Sequence, residues 1–306
     1  MSRHDFPVDP RQGEMPSDYP DRSRHAPQQI PLEPPRELRD DHESTRPIEP
    51  VPERAPDHQP RAYSLGRHTF LLCESELKTM SDLGTFRVVA AADLARFVYG
   101  GDTSRMERET RRLKEQGLLV DRTLPASGRK SVRVLGLTRA GKRLLRATNL
   151  LSQTQAVYHG IVKVREAKHD AELYRLYRAE ASRIASAGGR PLRVILDYEI
   201  KRDLNRERAR LGDRRNHPGE IERLAETHAL TVVNGKIPLP DLRIEYHTAD
   251  LELRRIDLEL ATRNYRPRGV AEKARAGFAL YSPREDAPRL RRILDEQELT
   301  ARIFAL

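Results

Sequence analysis

The sequence predicts a mixed α/β (α+β) protein with an N-terminal tail and two folded domains. Three observations lead to this prediction. Prolines concentrate near the N-terminus, helical and strand-like patterns alternate from about residue 68 onward, and the part with these patterns is strongly basic. A length of 306 residues suits two modest domains, since one domain typically occupies about 100–200 residues. We expect a tail over 1–62, a first domain over 63–152 and a second over 157–306.

The tail is recognised by its composition. The first 62 residues hold 13 of the 21 prolines and few aliphatic side chains, without a sustained helical or strand period. Such a segment buries too little apolar surface to offset the entropy that ordering costs, so we predict disorder. The tail carries nine basic and 13 acidic residues, which leaves +14 on the remaining chain.

Charge and cysteine content indicate the class of partner and the compartment. The net charge of +10 favours a polyanionic partner, with double-stranded DNA as the first candidate. The single cysteine, Cys73, excludes an intrachain disulfide and a cysteine-rich zinc site, and is typical of a reducing compartment. Because no apolar run approaches the roughly 20 residues that cross a bilayer, we expect a cytoplasmic protein without a membrane partner.

The first domain opens with three helical patterns. Leu77, Met80 and Leu83 share one face of the first helix, a short strand is predicted in FRVVA, and AADLARFVYGG reads as a second helix closed by glycines. The third helix, in TSRMERETRRLKEQG, begins at a capping Thr103 or Ser104.

A hairpin and a fourth helix complete this domain. The strand-like runs LLVDRTL and SVRVLGL flank the turn PASGRK, and TRAGKRLLRATNLL resumes helical spacing with Thr138 as its cap. Three helices, a hairpin and a helix follow one another as in a winged helix-turn-helix, which inserts its third helix into the major groove of DNA.

Basic side chains concentrate in this domain. Residues 63–150 hold 17 basic and nine acidic side chains, and such a surplus is what nonspecific affinity for DNA requires. The candidate DNA-binding residues are Arg105, Arg108, Arg111 and Arg112 on the third helix and Arg129 and Lys130 in the hairpin turn. The alternative is that Glu107, Glu109 and Glu115 pair with the arginines of the helix on a solvated face.

The second domain combines helices with three strands. Residues 165–187 have a helical pattern, LRVILDYEI is a strand, and 201–225 is charged and helical. Strands in PDLRIEY and LELRRIDLELAT follow, and RGVAEKARAGFALY is a helix. The predicted order is helix, strand, strand, strand, helix, with a C-terminal segment that adds a final element.

Acidic side chains on the last two strands form a candidate metal site. Side chains alternate across a strand, so Asp257 and Glu259 share one face, and pairing of the two strands would bring Asp241 to them. Clustered carboxylates suit Mg²⁺ or Mn²⁺, which activates water at a phosphorus centre. The alternative is an ordinary solvated acidic face of a sheet.

Pro240-Asp241, fifteen further residues and Asp257-Leu258-Glu259 resemble the PD-(D/E)XK pattern of restriction-endonuclease-like proteins. Glu259 stands where that pattern has a lysine that positions or activates the attacking water. Lys273 on the following helix is the candidate substitute, with an ordinary surface lysine as the alternative. The resemblance implies a restriction-endonuclease-like mixed sheet, Asp241, Asp257, Glu259 and Lys273 as catalytic residues, and the three acids as metal ligands.

A broader resemblance covers residues 68–285, which look like the replication-relaxation family of bacterial plasmid and mobile-element proteins. The matching motifs after the winged helix are His169, Pro240-Asp241, Asp257-Leu258-Glu259 with Thr262, and Lys273 with Tyr281. The resemblance implies a part in plasmid replication or DNA relaxation, with a homodimer or other plasmid-processing proteins as further partners. His169 is a candidate ligand or proton shuttle near the acids, with a helix histidine hydrogen-bonded to the sheet as the alternative. Glu199 is a candidate fourth acid of the site, with a solvated acid at a strand end as the alternative.

Three functional hypotheses follow. The chain is a noncatalytic DNA-binding protein of a plasmid or mobile element, a Mg²⁺-dependent DNA endonuclease, or a winged-helix transcriptional regulator. The sequence has neither the GxxxxGK[ST] phosphate loop of an ATPase nor the histidine and tyrosine arrangement of a rolling-circle relaxase.

Overall fold

The computed structural model describes residues 59–125, 131–161, 164–263 and 265–306, which belong to one compact unit. Its helices and strands in chain order are β1 (Arg61–Leu65), β2 (His68–Leu72), α1 (Glu74–Phe86), β3 (Val89–Ala90), α2 (Ala91–Phe97), α3 (Thr103–Glu115), β4 (Leu119–Pro125), β5 (Ser131–Leu137), α4 (Arg139–Ala147), α5 (Val164–Ser186), β6 (Arg190–Leu196), α6 (Asp197–Arg210), α7 (Pro218–Thr227), β7 (Leu242–His247), β8 (Leu253–Leu260), α8 (Pro267–Arg275), β9 (Ala279–Ser282), α9 (Ala287–Glu296) and β10 (Ile303–Ala305). No described helix has the length and apolar character that crossing a bilayer requires.

The first half of the described chain has the predicted winged-helix arrangement. Helices α1, α2 and α3 precede the hairpin of β4 and β5, and β3 completes an antiparallel sheet in the order β3-β5-β4. Helix α4 follows the hairpin. The predicted turn residues Arg129 and Lys130 lie outside the described residues.

Capping and burial explain where α3 begins and how it packs. Asp102 is the N-cap, because its Oδ1 accepts a hydrogen bond from the Arg105 backbone N–H at 2.8 Å. The prediction of Thr103 or Ser104 as the cap is therefore wrong by one or two positions. The buried side chains are those of Met106, Thr110 and Leu113. For α4 the predicted cap is confirmed, since Thr138 Oγ1 accepts from the Gly141 N–H at 3.0 Å.

The second half is built on a five-stranded mixed sheet in the order β10-β9-β8-β7-β6. Strands β6, β7 and β8 are antiparallel neighbours, while β9 runs parallel to β8 after the crossover helix α8. The predicted order of helix, three strands and helix, with a mixed sheet, is confirmed.

Two of the predicted boundaries in this half are wrong. Strand β6 ends at Leu196 and the acidic sequence after it begins α6, so Glu199 lies on a helix. The predicted last helix ends at Arg275, and β9 follows because Gly277 turns the chain at a φ of 83° and Leu280 and Tyr281 are buried in the sheet.

A hairpin at the start of the described chain was not predicted. Strands β1 and β2 pair in antiparallel fashion through a turn in which Gly66 has a φ of 63°. Tyr63 and Phe70 pack against the hydrophobic core. Because Arg61 and Ala62 belong to β1, the predicted tail boundary at residue 62 extends too far; residues 1–58 lie outside the described part, so their disorder stays a prediction.

The hydrophobic core continues from the winged helix into the mixed sheet. One cluster of buried side chains contains Leu83 of α1, Leu173 of α5 and Leu242 of β7. Helix α5 makes the connection, since the Tyr174 hydroxyl donates to Asp82 of α1 at 2.6 Å. The predicted division into domains near residues 152–157 stays a prediction. Helix α5 packs against α1, which precedes this boundary, and against β6, which follows it.

The α5 contact yields a test of stability. We expect Tyr174→Phe to lower the free energy of unfolding by about 1–3 kcal/mol, because a buried carboxylate loses a hydrogen-bond donor. Tyr177→Phe is the matched control: its ring also lies against Phe86, at 5.0 Å, but its hydroxyl has no hydrogen-bond partner among the described residues. Urea unfolding measures both, and an equal loss in the two variants would contradict the assignment.

Candidate functional site

Two of the arginines on α3 are held by contacts inside the fold. Arg112 Nε donates to Oε1 of Glu76 on α1 at 2.8 Å, and the Glu76 side chain is fully buried. Arg105 Nε donates to Glu109 Oε1 at 2.8 Å, and its Nη2 donates to Ser75 Oγ at 2.9 Å. These contacts attach α3 to α1, so the geometry gives Arg105 and Arg112 a structural role.

The other two predicted arginines of α3 are available for a partner. Arg108 and Arg111 are exposed, lie three positions apart on one helical face, and form no ion pair or hydrogen bond with any described residue. Two of the three acids expected to neutralise them are engaged elsewhere, since Glu109 pairs with Arg105 and Glu107 accepts two hydrogen bonds from Arg133 at 2.6 and 2.7 Å. The third, Glu115, forms no ion pair with a described residue. Helix α3 therefore presents two unpaired cations.

At the second site, the register of β7 and β8 brings two acids together. Leu242 pairs with Leu258, which places Asp241 opposite Glu259 at the end of the ladder. The Leu260 N–H donates to Asp241 Oδ2 at 2.8 Å, and the Asp241 N–H donates to Glu259 Oε2 at 3.2 Å. Both acids are buried. Buried polar groups need hydrogen-bond partners, and these two contacts supply them.

Asp257 does not join this pair. Both of its carboxylate oxygens accept from Arg243 on the neighbouring strand, at 2.6 and 2.8 Å. Arg243 is itself buried and also donates to the carbonyls of His228 and Ala229. Side-chain alternation puts Arg243 on the same face of its strand as Asp241, and its position opposite Asp257 on the next strand is the signal that would have predicted the ion pair.

Lys273 reaches the buried acids from α8. Its Nζ lies 2.9 Å from Glu259 Oε1 and also donates to the carbonyl of Leu239, and only 15% of the side chain is exposed. The alternative of an ordinary surface lysine is therefore wrong. Lys273 contacts Glu259 and not Asp257, and its role as the substitute for the lysine of the strand motif stays a prediction.

His169 contacts the other acid from α5. Its Nε2 lies 3.3 Å from Asp241 Oδ1, and 41% of its side chain is exposed, which makes it the solvent-accessible member of the cluster. The contact fits both sequence interpretations, a histidine near the acids and a helix histidine bonded to the edge of the sheet.

The charges of this cluster compensate one another. Burial by itself lowers the pKa of His169. The hydrogen bond and the charge of Asp241 outweigh burial and raise this pKa to about 9. Burial works against ionisation of Asp241, but the hydrogen bond and charge of His169 hold its pKa below the ordinary value. Burial and the charge of Asp241 raise the pKa of Glu259 to about 7, and Lys273 opposes this rise.

Sequence reasoning missed two residues near the acids and included two that lie elsewhere. The Tyr265 hydroxyl donates to Glu259 Oε1 at 2.6 Å, and the Asp197 N–H donates to the Asp241 carbonyl at 3.0 Å. Asp197 directly follows buried β6, which is a signal available in the sequence. Glu199 instead lies 3.5 Å from Arg193, and the Tyr281 hydroxyl donates to Glu180.

The donor set does not fit a divalent cation as it stands. The oxygens of Asp241 and Glu259 face His169, Lys273 and backbone N–H groups, and no group of three or more His, Cys, Asp or Glu side chains suited to a metal occurs in the described part of the chain. A Mg²⁺ or Mn²⁺ ion would need these oxygens free of cationic partners.

The pKa of His169 gives a direct test of this cluster. By NMR titration we expect a midpoint near 9 in the wild type, falling well below that value in Asp241→Asn, because burial then acts without the compensating carboxylate. A raised pKa stabilises the fold below about 6.5, and this stabilisation is lost as the pH rises through about 9. Asp257→Asn is the matched control and should leave the midpoint unchanged; equal shifts in both variants would refute the pairing.

Comparisons with known proteins give little beyond this geometry. No protein-family model and no curated protein matches the sequence. A solved structure, Bacillus subtilis PadR in complex with operator DNA, is similar to 49% of this chain and 75% of its own, with 18% identity and a TM-score of 0.21. A TM-score this low carries no argument about function.

Proposed function

We propose that this protein binds double-stranded DNA through its winged helix, with Arg108 and Arg111 of α3 as the residues that reach the DNA. The observation that supports this is the division of the α3 cations. Arg105 and Arg112 are bound to α1 and its neighbours, whereas Arg108 and Arg111 are exposed and unpaired among the described residues. Unpaired arginines on this helix are suited to guanine edges or phosphates in the major groove.

Helix α4 of the winged helix adds further positive charge. On α4, Arg139 and Arg143 are exposed and form no ion pair with a described residue. A surplus of cations on the winged helix attracts the DNA backbone, and the counterions released on binding make the affinity salt-dependent. The proposed partner is therefore duplex DNA, with the backbone contacts supplying most of the affinity.

The biological role is a narrower proposal. A part in plasmid or mobile-element replication or relaxation rests on the sequence resemblance, and a transcriptional regulator uses the same fold. The two roles differ in the DNA they need: a regulator binds one operator tightly, while a replication protein binds the origin or transfer region of its own element.

Exchange of the α3 arginines tests the proposal. We expect Arg108→Ala with Arg111→Ala to weaken duplex binding by about 1–3 kcal/mol for each arginine that reads a base, without changing the melting temperature. The wild-type affinity should fall with salt at a log–log slope on the order of −4 to −6. Fluorescence anisotropy at several salt concentrations measures both quantities.

Arg112→Ala tests the structural role of Arg112. It removes the partner of the fully buried Glu76, so we expect a loss of stability of about 1–3 kcal/mol. Unchanged DNA binding in the double variant would place recognition on another element.

A second candidate is a Mg²⁺-dependent DNA endonuclease. Two observations favour it: Lys273 occupies a buried position against Glu259, and Asp241 of the PD-(D/E)XK-like pattern directly precedes β7, opposite Glu259. The pairing of Asp257 with Arg243 separates this chain from the expected three-acid site. Metal binding by Asp241, Asp257 and Glu259 stays a prediction.

A plasmid assay separates the two candidates. If the chain is an endonuclease, supercoiled plasmid should be nicked only with Mg²⁺ or Mn²⁺, and Asp241→Asn and Lys273→Met should abolish nicking while winged-helix binding persists. Asp257→Asn should also abolish nicking if Asp257 is a metal ligand, whereas retained nicking would assign Asp257 to its ion pair with Arg243 alone. Intact plasmid at every metal concentration would leave DNA binding as the activity.

A further inference from the structure

We propose that the segment from the end of β8 to α9 forms a second DNA-binding surface, which holds the phosphate backbone through Arg263 and Arg266. The inference takes duplex DNA as the partner from the proposed function, but it concerns residues that are not part of the winged helix.

The segment is unusually cationic for its length. Residues 263–292 contain nine Lys and Arg and three Asp and Glu. This surplus of six equals the entire net surplus of residues 151–306. Over the rest of the second half, basic and acidic side chains are equal in number, so the segment carries a net positive charge that its surroundings do not add to.

The loop that carries the two arginines is held at several points. The Arg263 N–H donates to Asp286 Oδ2 at 3.0 Å, and Arg289 of α9 donates to the carbonyls of Arg263 and Tyr265. The Tyr265 hydroxyl is bonded to Glu259 at 2.6 Å. A backbone fixed in this way lowers the conformational entropy that is lost when a ligand binds.

The two arginine side chains are left for a ligand. Arg263 and Arg266 are exposed and form no side-chain ion pair with a described residue. Arg268, two positions further on, is paired with Glu272 at 3.0 Å. The loop is thus held at the backbone of Arg263 and Tyr265 and carries two guanidinium groups that no described residue neutralises, which are suited to bidentate contacts with phosphate.

The surroundings favour a nucleic acid over an acidic protein. Stable protein interfaces have apolar anchors at their centre, whereas a phosphate backbone needs cations alone. The exposed large hydrophobic residues of the described chain are Leu71, Val120, Leu150, Leu251 and Leu253, and none lies in the cationic segment. The position of Tyr265 between the two arginines brings this surface next to the Asp241 and Glu259 pair.

Salt titration of the whole chain tests the proposal. For Arg263→Ala with Arg266→Ala, the log–log slope of duplex affinity against salt should become shallower by about 1.8, since each neutralised phosphate contributes about 0.9. The melting temperature should stay unchanged. The matched control is Arg223→Ala with Arg254→Ala, which removes the same charge from exposed arginines that are paired with Glu220 and Glu252; its slope should match the wild type.

Equal slopes in wild type and test variant would overturn the proposal, as would equal changes in the test and control variants, because the effect would then be one of net charge. Binding of polyglutamate that is lost in the test variant while the DNA slope is kept would assign the surface to an acidic protein instead. The winged-helix proposal fails separately, through unchanged binding in the Arg108→Ala and Arg111→Ala variant.

Discussion

The antiparallel register of β7 on β8 is the constraint on which the candidate site depends. It places Asp241 opposite Glu259 and Arg243 opposite Asp257, so one acid pair is buried together and the third acid is neutralised across the strands. A shift by one residue would turn every side chain of a strand to the opposite face of the sheet. Helices α5 and α8 then place His169 and Lys273 beside Asp241 and Glu259, whose positions are set by the sheet.

Helix α5 connects this site with the winged helix. His169 near its start contacts Asp241 of the sheet, and Tyr174 further along donates to Asp82 of α1. The two contacts lie on one rigid element whose apolar side chains belong to the shared core. Helix α5 therefore contacts α1 and the edge of the mixed sheet at the same time.

Positive charge is used in two ways in this protein. Arg112 neutralises the buried Glu76, and the buried Arg243 pairs with the half-buried Asp257, so both arginines are part of the framework. Arg108, Arg111 and the arginines of the loop after β8 have no such partner among the described residues and are exposed. A buried carboxylate that loses its partner is costly, whereas an exposed arginine remains hydrated. The first kind of arginine therefore supports the fold, and the second kind is available to a polyanion.

The sequence by itself determined most helices, the winged-helix order, the Thr138 cap and three strands of the second sheet, because helical and strand periods and caps are local properties. Only the tertiary structure decided which charges meet: Arg112 bonds to Glu76, 36 residues away, and Lys273 to Glu259, 14 residues away. The tertiary structure also decided that Asp257 pairs with Arg243 and lies apart from Asp241 and Glu259. Side-chain alternation gives the face of a strand but not the partner across it, and that partner depends on a register formed by residues distant in sequence.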